Sequence, residues 1–143
     1  MVTLGQASGF AIERFGLPVR NALANKSSKE FWCPGSTLKV KFENSHPLAY
    51  GMPAEGLAVF MGNSPAFEII PTDYNERYET IVTYADHDLL QSGWLIGEEN
   101  LSKKAAMIAA EYGEGTVILI GFRTQHRAQT HGTFKLLFNA LIR

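Results

Sequence analysis

Residues 105–122 read Ala105-Ala106-Met107-Ile108-Ala109-Ala110-Glu111-Tyr112, then Gly113-Glu114-Gly115, then Thr116-Val117-Ile118-Leu119-Ile120-Gly121-Phe122. Two apolar runs of strand length around a short glycine-rich turn predict a β-hairpin. In the second arm Val117, Ile118, Leu119 and Ile120 are all apolar. Both faces of that strand are therefore covered, and it belongs centrally in a sheet with layers on each side. Downstream, the polar residues 123–129 lead to Thr130, which is placed to cap a final helix. That helix carries Phe134, Leu137, Phe138 and Leu141 at three- and four-residue spacing.

Working outward, Leu38, Val40 and Phe42 alternate with Lys39, Lys41 and Glu43. Period two with one polar face predicts a half-exposed strand, antiparallel or at an edge. Residues 57–61, 67–70 and 80–84 are further strand candidates, and the polar run 72–79 joins the last two. At the amino end Val2, Thr3 and Leu4 form a short strand ending at Gly5. Ser8 could cap a helix carrying Phe10, Ala11, Ile12 and Phe15, which Gly16 and Pro18 stop. Strand, small-residue turn and helix make half of a βαβ unit. Residues 24–30 read as a loop, and Trp32 and Trp94 as core or interface anchors. The pattern is that of an α/β layered sheet with flanking helices.

Composition narrows the function. The chain has 143 residues, the size of a single domain spanning 1–143, with 45% hydrophobic content. Thirteen basic and fourteen acidic side chains leave a net charge of −1, and the basic ones are scattered. A dedicated nucleic-acid partner needs a massed basic surface, so none is expected. No apolar run approaches the roughly 20 residues that span a bilayer, so no membrane partner is expected either. Cys33 is the only cysteine, which excludes an internal disulfide. Met1-Val2-Thr3-Leu4-Gly5 lacks the features of a secretion signal and reads as a buried strand cut at its beginning.

Candidate chemistry is thin. The histidines are His46, His87, His126 and His131. On a helix the last two would lie about 140° apart, and no zinc-type spacing occurs, so neither metal nor cofactor is expected in this chain. Gly62-Asn63-Ser64-Pro65-Ala66 approximates a nucleophile elbow without its last glycine, yet Phe67-Glu68-Ile69-Ile70 beyond it reads as a strand, and an ordinary turn is the better account. Cys33, between Trp32 and Pro34, has nothing to lower its pKa and reads as packing. Glu98, Glu99, Lys103 and Lys104 read as a solvated turn with local charge pairing. The informative stretch is residues 123–131. It leaves the carboxyl end of a buried strand and enters a helix amino terminus, where open α/β sheets hold ligands. Arg123, Gln125, His126, Arg127 and His131 are the candidate ligand-binding residues for a small molecule or anion. The alternative is a loop whose side chains only bond neighbouring backbone.

Several stretches resemble the carboxy-terminal region of large bacterial proteins whose front part is a zinc carboxypeptidase of the carboxypeptidase A type. They are Phe31-Trp32-Cys33-Pro34-Gly35-Ser36, residues 45–53, Ser64-Pro65-Ala66-Phe67, Ser92-Gly93-Trp94-Leu95-Ile96-Gly97-Glu98-Glu99, residues 121–127 and residues 129–135. In those proteins the rear domain looks like a class I glutamine amidotransferase, a flavodoxin-like α/β layer. The resemblance implies that zinc belongs to the parent's front part, whose His-x-x-Glu is not here. It also implies that the amidotransferase's Gly-x-Cys-x-Gly elbow and later His-x-Glu pair are missing. The expected role is a non-catalytic accessory domain of an attached or separate carboxypeptidase domain, with a hydrolase using Ser64 or Cys33 the least favoured reading. The resemblance further implies an exported parent, periplasmic or extracellular, and amino-terminal strands of the sheet lying outside this chain. An open sheet edge of that kind invites homodimerisation or docking.

Overall fold

The computed structural model describes residues 1–73 and 77–142, so part of the run between Thr72 and Glu79 lies outside the described residues. The strands are β1 (Val2–Leu4), β2 (Val19–Asn21), β3 (Gly35–Phe42), β4 (Glu55–Met61), β5 (Phe67–Ile69), β6 (Tyr78–Tyr84), β7 (Leu90–Ser92), β8 (Ala105–Tyr112) and β9 (Gly115–Ile120). Two helices flank them, α1 (Ala7–Phe15) and α2 (His131–Ile142). The main sheet runs β1-β9-β8-β6-β3-β4, with β2 and β5 paired beside β8, and β7 beside β3. Among the described strands only β1 and β9 are parallel; the other pairings are antiparallel. This is the α/β sheet with flanking helices, carboxy-terminal hairpin and final helix that the sequence predicts.

The hairpin earns its central place residue by residue. Val117 and Leu119 pack into the cluster under α1 with Ala11, Leu17 and Ile108. Ile118 and Ile120 pack into the opposite cluster with Met107, Ala109, Leu136 and Ala140 of α2. Burying each such aliphatic side chain contributes about 1.5–3 kcal/mol. Ala105 and Met107, two residues apart, fall into opposite clusters. The cause is a register shift, in which Val82 pairs with Met107 and Thr83 with Ala105, so that Ala106 is bulged. The Gly121 N–H donates to Ala106 O at 2.8 Å. A Cβ at Gly121 would stand 2.2 Å from Pro65 O, so only glycine fits there.

β3 buries Ser36, Leu38, Val40 and Phe42 as its alternation demands. It is not an edge, since β4 lies on one side and β6 and β7 on the other. The sheet ends instead at β4 and β1. Part of the β4 edge is closed: Arg123 N–H donates to Val59 O at 3.0 Å, and Ser64 Oγ accepts from Met61 N–H at 3.0 Å.

The helices correct two expectations. Gln6, not Ser8, precedes α1, and no side chain caps it. Ser8 lies inside the first turn, its hydroxyl paired with Thr3 Oγ1 at 3.0 Å. Gly16, left-handed at φ 58°, does end α1. In α2 the buried stripe is Thr133, Leu136 and Ala140, one residue round from the predicted one. The short 3-10 turn Pro47–Ala49, with Leu48 and Ala49 buried, packs against α2, and Asn139 Nδ2 donates to Leu48 O at 3.1 Å. Phe138 and Leu141 are left 58% and 63% exposed.

The tryptophans are not core residues, being 46% and 63% exposed at Trp32 and Trp94. Their backbones are nevertheless pinned. Trp32 exchanges both backbone hydrogen bonds with Ile96, at 3.1 and 2.8 Å. Ser36 Oγ donates to Trp94 O at 2.7 Å and accepts from Trp94 N–H at 2.9 Å. Gly93, at φ 105°, lets the chain come this close, since a Cβ there would lie 2.5 Å from Ser36 Oγ. The charges at residues 98–104 do not pair locally. Glu98 Oε2 accepts from Leu89 N–H at 3.0 Å, while Lys104 and Arg20 both pair with Glu68.

Candidate functional site

Where the parallel pair β1 and β9 ends, the chain turns from β1 through Gly5 into α1. Gly5 sits at φ +55° with open space where a side chain would project. Strand, left-handed pivot and helix form the geometry of a nucleophile elbow. Here the pivot carries no side chain. A cleft of about 420 Å³ opens beside it, walled by Gly5, Gln6, Asn63, Arg123, Thr124 and Gln125 among others. The lining contains no carboxylate and no histidine. Thr124 is 1% exposed and its hydroxyl has no hydrogen-bond partner.

A second, larger cleft of about 760 Å³ lies along β3 and β4, whose Leu57, Val59 and Met61 form part of its wall. His126, Arg127, Gln129 and Thr130 form a polar end. The 123–131 loop thus serves two clefts: Arg123 and Gln125 line the elbow cleft, His126 and Arg127 the larger one. His131 lines neither; its Nε2 bonds Ala128 O at 2.7 Å and its ring packs 5.2 Å from Phe134.

The loop is shaped by its own side chains. Thr130 Oγ1 accepts from His126 N–H and donates to Thr124 O, both at 3.0 Å, and Thr133 Oγ1 donates to Thr124 O at 2.7 Å. The Thr130 hydroxyl therefore serves the loop, while its carbonyl accepts from Thr133 N–H at 3.0 Å. These bonds hold Arg127 and Ala128 left-handed at φ 50° and 54°, conformations that cost non-glycine residues roughly 1–3 kcal/mol each. Backbone bonding accounts for Thr130, His131 and Thr133, and leaves the other four candidates facing clefts.

The remaining candidate groups are engaged elsewhere. Ser64 lines the elbow cleft but is buried, with Oγ accepting from Met61 N–H inside its turn. Cys33 is buried in the core, and burial pushes its thiol up, with the nearby Ser36 hydroxyl only partly opposing it. His46 accepts from Leu48 N–H on Nδ1 and meets Glu79 through Nε2 at 2.7 Å; His87 pairs with Asp88 at 3.0 Å. Among the described residues no three of His, Cys, Asp and Glu are grouped to hold a metal ion. No helix among them is long and apolar enough to cross a membrane. The sequence missed Gly5 and Gln6; a strand ending in glycine before a helix was the available signal.

No protein-family model and no curated protein matches the chain. Solved structures do. A GMP synthase subunit protein from Thermoplasma acidophilum matches with a TM-score of 0.55 at 13% identity, over 96% of this chain and 53% of that one. A ThuA-like protein from Bacteroides uniformis matches with a TM-score of 0.55 at 15% identity, over 98% of this chain and 56% of that one. The chain spans about half the length of these structures. At such identities the likeness is one of fold, and the fold is glutamine amidotransferase-like.

Proposed function

We propose that this chain is a binding domain of amidotransferase-like shape, which holds a small oxyanion in the elbow cleft and does not transform it. One observation carries this: the elbow pivot is Gly5, and the groups around it are cationic or neutral. The resemblance implies a cysteine at an elbow and a later His-x-Glu pair. Beyond the end of β9, in the same cleft as Gly5, this chain has Arg123-Thr124-Gln125, with the same one-residue spacing and no group that transfers a proton at neutral pH. What is present suits anion retention. Arg123 supplies a charge, the start of α1 is free of a side-chain cap, and Thr124 has a hydroxyl without a partner.

Isothermal titration with orthophosphate tests this, run beside an assay for ammonia release from L-glutamine. Saturable binding, weakened about tenfold or more in Arg123→Ala, is expected, with no ammonia released. Glutamine turnover by the natural sequence, or phosphate affinity indifferent to Arg123, overturns the proposal.

A second reading makes the domain an accessory of a zinc carboxypeptidase, as the sequence resemblance implies. The specific observation in its favour is an uncovered apolar stripe on α2, with Phe138, Leu141 and Ile142 exposed, on a protein whose sheet ends in the short edge strand β1. A partner domain would cover both. Co-purification with a carboxypeptidase domain, abolished in Phe138→Asp with Leu141→Asp, is the expected result; a second copy of this chain occupying the stripe would instead appear as a dimer in sedimentation.

A further inference from the structure

We propose that the larger cleft is a separate binding site for a monocarboxylic acid carried on an apolar body. The proposal is independent of the elbow cleft and its oxyanion.

Three observations lead there. First, the cavity is built for an apolar body. Leu57, Val59 and Met61 project from the face of β4 opposite to Ala58 and Phe60, which are buried in the core. This leaves Leu57 44% exposed on a strand whose neighbours are otherwise covered. Met52 and Phe42, from the core side of edge strand β4, line the cleft where it rounds that edge, and Gly56 makes room for the Phe42 ring, since a Cβ there would come 2.7 Å from it. At about 760 Å³ the cleft lies in the size range of sites for medium-sized organic molecules.

Second, the charge is one-sided. Arg127 is the single permanently charged side chain in the lining, and no carboxylate lies among the lining residues. An apolar cleft with one cation at its end favours a ligand with one negative charge at one end. Guanidinium pairs with carboxylate in a planar, two-bond geometry that a neutral alcohol cannot reproduce. His126, Gln129 and Thr130, at the same end, offer further polar contacts.

Third, the backbone that carries the cation keeps an unfavourable conformation. Arg127 is left-handed, within a loop fixed by the Thr130 and Thr133 hydroxyls. A glycine at position 127 would remove both the strain and the charge. That makes Arg127→Gly an informative variant, because it is expected to fold at least as stably as the natural sequence.

The test is calorimetric titration with three probes: 4-phenylbutyrate, the isosteric 4-phenylbutanol, and acetate. Phenylbutyrate is expected to bind saturably and at least tenfold more tightly than either phenylbutanol, which lacks the charge, or acetate, which lacks the body. Arg127→Gly is expected to erase the difference between the acid and the alcohol. Leu57→Asp, which places a like charge on the apolar wall, is expected to weaken phenylbutyrate binding while leaving the phosphate affinity of the elbow cleft unchanged. Equal binding of acid and alcohol, an acid affinity insensitive to Arg127→Gly, or no binding of phenylbutyrate at millimolar concentration each overturns the proposal.

Discussion

Among the described residues two buried hydroxyls, those of Tyr84 and Thr124, have no hydrogen-bond partner, and they stand in opposite surroundings. Tyr84 is fully buried in the cluster between the sheet and α2, with its ring 6.1 Å from that of Phe60. Burial first, and Cys33 nearby, push its phenol upward, so it stays neutral. Thr124 is buried equally well but belongs to the wall of the elbow cleft. An orphan hydroxyl inside a core is a residual cost of packing a ring. The same orphan in a cleft wall, next to a cation, is equally shut off from solvent, and a ligand satisfies it only by shifting that wall. Burial alone does not separate the two; what lies next to the atom does.

The hardest blow to this contrast falls on the backbone just behind the cleft wall, at Gly121, one residue before Phe122, and Pro65, one after Ser64. Gly121→Ala drives a Cβ to 2.2 Å from Pro65 O, and should lower stability by about 3 kcal/mol, read from urea unfolding. Thr133→Val is next. It removes the buried donor to Thr124 O and frees the loop, for a loss of about 2 kcal/mol and weaker phosphate binding. Removing the orphans sharpens the comparison directly. Tyr84→Phe should raise stability by about 1 kcal/mol and leave phosphate binding alone, whereas Thr124→Val should be near neutral for stability and weaken phosphate binding. If both variants behave alike in titration, the two surroundings are equivalent and the distinction fails.

The smallest effect lies away from both. Lys104, then Arg20, hold the Glu68 carboxyl below the usual range. A depressed carboxyl contributes stability above its unfolded value of about 4.3 and loses it as pH falls through the lower folded value. Glu68→Gln should therefore cost a few tenths of a kcal/mol at pH 7, because solvent screens the pair. The difference should vanish in melts run well below pH 4.

What could be read from the sequence follows from how local each cause is. The β8–β9 hairpin and the alternation of β3 are written in consecutive side chains, and both are present as predicted. β2 and β7 are not, because Val19-Arg20-Asn21 and Leu90-Gln91-Ser92 carry no strand pattern and exist only through pairing with β5 and β3. The buried stripe of α2 is set by Leu48 and Ala49, more than eighty residues away in sequence, so helical spacing alone chose the wrong face. For the candidate site, a polar loop at a strand's carboxyl end was legible. Its division between two clefts was not, since that depends on left-handed turns at Arg127 and Ala128, which are uncommon for such residues. Gly5 was legible as a strand end, yet its role as a bare elbow pivot required the neighbouring strand β9 and the loop beyond it.

The clamped tryptophans carry a spectroscopic consequence. Both tryptophans are partly open to water in the folded protein, 46% and 63% exposed, so native emission is expected at long wavelength, with only a small further shift on denaturation. Circular dichroism is the better monitor of unfolding. Fluorescence becomes a local reporter instead. Because Ser36 and the Trp32–Ile96 bridge fix the backbone beneath the rings, a blue shift on mixing with another molecule marks contact at that ledge, not a change elsewhere in the chain.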